Sequence, residues 1–82
     1  MTNVNVKELI KTCDAVERRC TKICGGMHRG SYLFDKLMRF FSSEPAAVSV
    51  TVPVYINCVG NGEATIGRNG SLVMRKKEDG NV

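Results

Sequence analysis

VSVTVPVYINCVGNGEATIGRNGSLVMRKK, residues 48–77, decides the fold, because within it the apolar period drops from helical spacing to two. Val48, Val50, Val52, Val54, Ile56 and Cys58 fall on one side of an extended chain, and Ser49, Thr51, Pro53, Tyr55 and Asn57 on the other. Successive side chains of a strand point to opposite faces, so this alternation predicts a strand with one face buried. Two glycine-ended segments, Gly60-Asn61-Gly62 and Arg68-Asn69-Gly70, cut the remainder into GEATIG and SLVMRKK, which predicts a three-stranded meander.

Residues that face each other in a hairpin share a face of the sheet. Three-residue loops meet that condition and two-residue loops do not. They set Cys58 against Ala64 and Ile56 against Ile66, then Ile66 against Leu72 and Ala64 against Met74. In this register Gly62 and Gly70 take the left-handed conformation, and a short middle strand, Glu63–Gly67, covers only Tyr55–Val59. Val48–Val54 is then left with no strand beside it in its own chain.

Upstream the period is helical. Leu9, Cys13, Val16, Cys20, Ile23 and Met27 recur at alternating spacings of four and three, one buried stripe of an amphipathic helix. Thr2, Asn3 and Asn5 are candidate N-caps, Glu8 suits the first turn, and Gly25-Gly26 ends the helix. Ser31 caps a second helix that runs to Ser42. Its broad apolar face holds Leu33, Phe34, Leu37, Met38, Phe40 and Phe41, with Asp35, Lys36 and Arg39 left in water. Pro45 stops it. The reading is an α+β domain of order α-α-β-β-β, a two-helix hairpin on one face of an antiparallel meander. Residues 1–77 form this single domain, and 78–82 are a polar, frayed tail.

With 82 residues the chain supports one modest core, and chains of this size often gain stability from a partner. The N-terminus has no basic start or apolar run of a signal peptide, and no stretch approaches the roughly 20 apolar residues of a membrane span. The expected setting is cytoplasmic, where four cysteines stay as thiols.

Cys20, Cys24 and His28 follow one another at intervals of four, which raises the question of a metal. Zinc ligands must converge to within about 4 Å of one another. Cys13 and Cys24, about 16 Å apart along one helix, cannot share an ion. A site built from Cys20, Cys24, His28 and Cys58 matches no common zinc template. The better reading is that Cys13, Cys20 and Cys24 are small core residues on the buried stripe. A single histidine gives a cysteine nucleophile only one base to draw on, and GNGEATIG lacks the lysine and following helix of a phosphate loop. No cofactor, no metal and no catalysis are therefore expected.

Charge is the remaining signal. The chain carries a formal +4. At 100° per residue, Lys7, Lys11, Arg18 and Lys22 fall within about 60° of one another, opposite the apolar stripe, and so does Arg29 if the helix runs through. Asp14 sits at the ridge's edge and can pair with Arg18. Arg75, Lys76 and Lys77 make a second basic cluster. The ridge fits an acidic protein surface or phosphates. Against nucleic acid stand the few aromatics, with only Tyr55 as a stacking platform on the outer sheet face. The expected role is a small regulatory or inhibitory protein that binds another protein, of the kind a virus or mobile element encodes as an accessory factor. Nucleic-acid binding is the alternative. A homodimer is expected, joined through the edge Val48, Ser49, Val50, Thr51 and Val52, with the stripe of the first helix as the competing seam.

Overall fold

A computed structural model describes residues 4–20, 30–56 and 60–77. Helix α1 spans Val6–Arg19 and α2 spans Gly30–Ser43. Strands β1 (Ser49–Ile56), β2 (Gly60–Gly67) and β3 (Leu72–Lys76) follow, in one antiparallel sheet of order β1-β2-β3. The α-α-β-β-β architecture is the one the periodicity predicts.

Asn5 caps α1: its side-chain oxygen accepts the Glu8 N–H at 3.1 Å, satisfying a donor that the helix itself leaves open. Leu9, Cys13, Val16 and Cys20 are all buried, as their spacing requires. The Cys20 N–H closes the helix on the carbonyls of Val16 (3.0 Å) and Glu17 (3.1 Å). Ile23, Cys24 and Met27, and the glycine stop, lie outside the described residues. Helix α2 contributes Leu33, Leu37 and Phe41 to the same core, with Phe34, Met38 and Phe40 packed around them. It begins one residue before Ser31, so that serine lies inside the helix. Asp35, Lys36 and Arg39 stay exposed as expected.

The sheet closes the core with Val54, Ala64 and Ile66, while Val50, Val52, Ile56, Leu72 and Met74 pack partly against it. The second hairpin has the expected register, with Ile66 opposite Leu72 and Ala64 opposite Met74, and Gly70 at φ +93°. Its turn seats the first helix. The Thr12 hydroxyl donates to the Gly70 carbonyl, the Asn5 N–H donates to the Arg68 carbonyl at 3.3 Å, and a Cβ on Gly70 would meet the Glu8 carbonyl carbon at 2.7 Å.

The first hairpin corrects the expectation. Val50 faces Ile66, Val52 faces Ala64 and Ile56 faces Gly60, a slip of six residues relative to the pairing of Ile56 with Ile66. An even slip keeps every side chain on its own face, so face matching accepts both registers. The observed one is longer: all eight residues of β1 pair with β2. Val48–Val54 is therefore not left without a strand beside it in the chain. The left-handed glycine is Gly60, at φ +92°, and not Gly62. Gly62 sits within β2, where a Cβ would meet the Arg75 carbonyl oxygen at 2.6 Å and the Ile56 side chain at 2.7 Å. Val48 precedes the strand and, though on the same face as Val50, is 77% exposed instead of buried.

Candidate binding surfaces

The outer side of α1 carries Lys7, Lys11 and Arg18, all exposed and opposite the buried stripe. Lys22 and Arg29 lie outside the described residues. The Lys11 ammonium approaches Glu8 at 3.7 Å, with both side chains well exposed, so the pair holds little energy. The Asp14–Arg18 pair that the i, i+4 order favours is not formed. Of the second basic cluster, Arg75 pairs with Glu63 at 3.6 Å across the outer sheet face, and Lys76 and Lys77 are exposed.

That outer face also carries Thr51 and Thr65, whose hydroxyls are 2.9 Å apart, together with exposed Tyr55 and Val73. A shallow hollow of about 410 Å³ lies along α2 between Lys36, Arg39, Phe40, Ser43 and Glu44. Sequence reasoning passed over it, although positions 36, 39, 40 and 43 have the spacing of one helix face. The Lys36 ammonium there also lies 5.5 Å from the centre of the Tyr32 ring.

The thiols of Cys13 and Cys20 are free and buried. Burial, with the nearby charge of Asp14, pushes the Cys13 thiol up to about 11. Burial also raises Cys20, and a backbone hydrogen bond from Tyr55 draws it partly back. A buried, protonated thiol is a poor nucleophile at neutral pH. Cys24, His28 and Cys58 lie outside the described residues, and among the described residues no three metal-ligating side chains converge.

The edge of β1 is defined by which way its main-chain groups point. The Arg68 N–H donates to the Val48 carbonyl at 2.9 Å, and Lys77 and Gly67 donate to Asn61 and Ser71 across the other ladder. Hydrogen-bonded rungs alternate in an antiparallel pair. Val50, Val52, Val54 and Ile56 therefore turn their N–H and C=O groups toward β2, and Ser49, Thr51, Pro53 and Tyr55 turn theirs outward. Pro53 has no N–H to offer, and the Tyr55 backbone lies beside the buried Cys20 thiol. Ser49 and Thr51 keep open donors, and both residues are exposed.

Among the described residues no helix is long and apolar enough to cross a membrane. Comparison with protein families, with curated proteins and with solved structures gives no match.

Proposed function

We propose that this chain works by binding rather than by catalysis, as a small cytoplasmic regulatory or inhibitory protein whose α1 outer face docks on an acidic surface of another protein. The observation that carries the reading is the row Lys7, Lys11 and Arg18, which is exposed along one side of a helix whose other side is anchored in the core. Opposed charge across an interface steers encounter and selects partners more than it adds affinity. Glu8 and Asp14 interleave with the row. Such mixed charge suits a protein surface, whereas a run of phosphates favours cations alone.

The test is capture of partners from host extract with the wild type and with a Lys7→Glu, Lys11→Glu, Arg18→Glu variant, with and without nuclease. A protein retained after nuclease treatment and lost at least tenfold by the variant supports the proposal. Recovery only when nuclease is omitted would transfer the ridge to nucleic acid, and equal capture by wild type and variant would remove the ridge from the interface.

A further inference from the structure

We propose that the open half of the β1 edge pairs with the same edge of a second copy, antiparallel about a two-fold axis at Val50, joining two three-stranded sheets into one of six strands. The proposal is independent of the ridge, which lies on the far side of α1.

Consider first what the edge offers. Each copy presents outward the N–H and C=O of Ser49 and of Thr51. With the axis at Val50, Ser49 of one copy faces Thr51 of the other, and each such pair exchanges two hydrogen bonds. The two pairs make four bonds, and the outward donors of Ser49 and Thr51 all find acceptors. The next rung would set Ala47 opposite Pro53. Neither can donate there, because the Ala47 N–H is already held by the Glu44 carbonyl at 2.9 Å and proline has none. The ladder therefore stops at both ends where its donors run out. The same register places Val48, 77% exposed in the single chain, opposite Val52 of the second copy, on the face that carries the core.

Charge selects this edge and a second copy as its occupant. Proteins protect edge strands with lysines and other charges, with proline, or by covering them. The far edge of the sheet is protected in that way, since β3 ends in Arg75 and Lys76 with Lys77 after it. From Pro45 to Gly62 the chain carries no charged residue at all. Two copies of a chain with a formal +4 repel one another at most approaches, and this neutral edge is where the repulsion is least. On β1 the protection covers only the second half, where Pro53 interrupts the row of donors.

So short a ladder gives a weak dimer, with Kd on the order of 10–100 µM. Sedimentation equilibrium from about 5 to 500 µM should show the 9.0 kDa monomer giving way to twice that mass. Thr51→Pro removes an outward donor and leaves the β1–β2 ladder intact, so it should weaken the dimer at least tenfold. Thr51→Val removes only the hydroxyl and should leave the dimer unchanged. Val48→Lys, at an exposed position outside the strand, should also weaken it at least tenfold, and it keeps the test valid if Thr51→Pro does not fold. Amide exchange at Ser49 and Thr51 should slow as concentration rises. A monomer at 500 µM, or a dimer indifferent to the folded Val48→Lys or Thr51→Pro variant, overturns the proposal. The second result would move the contact to the helices.

Discussion

The guanidinium of Arg68 lies 5.2 Å from the centre of the Phe41 ring and its Nη2 donates to the Phe41 carbonyl at 3.4 Å. One side chain from the β2–β3 turn thus holds both the ring and the main chain at the C-terminal end of α2, where a cation complements the helix dipole. Its Nη1 donates to the Pro45 carbonyl, and its own N–H and C=O bond Val48 and Asn5. The turn thereby ties α1, α2 and the start of β1 together.

Truncating this residue removes charge-assisted bonds to carbonyls that lie at the junction of three elements. Arg68→Ala should cost about 2–3 kcal/mol in urea unfolding. Arg68→Lys should recover less than half of that, because an ammonium cannot bond two carbonyls and cover a ring in the same plane. Full rescue by lysine would show that charge alone matters.

Three glycines separate two physical causes. Gly70 combines φ +93° with the closely seated backbone of Glu8, so Gly70→Ala should cost more than about 2 kcal/mol and loosen α1 from the turn. Gly62→Ala meets a carbonyl and the Ile56 side chain and should cost a similar amount by steric clash. Gly60 has a positive φ with open space around it. Gly60→Ala should therefore cost only about 1 kcal/mol, and Gly60→Asn less. Thermal melts of the three alanine variants give the order directly.

Much of this architecture was legible in the residues and part was not, for definable reasons. The stripe Leu9, Cys13, Val16 and Cys20 and the alternation through β1 report burial, and burial is what periodicity encodes. Face matching cannot detect an even slip, so it does not fix the register of the first hairpin. What distinguishes the registers is ladder length and the local conformation of Gly60 against Gly62, neither of which composition carries. Nothing in Arg68-Asn69-Gly70 beyond a turn reveals that the Arg68 side chain reaches back to α2. Of the ridge, Lys7, Lys11 and Arg18 are exposed as helical spacing requires. The reason for expecting an open edge at Val48–Val52, the lack of a neighbouring strand, does not hold, because β1 pairs with β2 along its whole length. The outward donors of Ser49 and Thr51 follow from the true register.

The Cys13 thiol makes stability depend on alkaline pH. Its folded pKa is raised from 9.0 to about 11, so the folded state holds the proton longer than the unfolded chain. The contribution is fully present below pH 9. It is lost as pH rises from 9 through 11, because only the unfolded state ionises in that window. The loss should be on the order of 1–3 kcal/mol. Cys13→Ala, which should itself cost about 1 kcal/mol for the lost buried volume, should flatten the slope between pH 9 and 11 relative to wild type. Parallel slopes would assign the alkaline loss to other groups.

Cys20 offers the sharpest test of whether its thiol serves packing or a metal. It is 2% exposed and sits in the core with Val54, beside the Tyr55 backbone. A zinc ligand must be a thiolate, and burial here favours the protonated thiol. Cys20→Ala should cost about 1–2 kcal/mol by loss of packing, with no change in the metal content of the purified protein. Cys20→Ser has nearly the same size but buries a hydroxyl, and should cost more than alanine unless it keeps the Tyr55 N–H as its donor. Added zinc should leave the melting temperature of the wild type unchanged. A rise of several degrees that disappears in Cys20→Ala would make the thiol a ligand, with Cys24, His28 and Cys58 as the residues to substitute next.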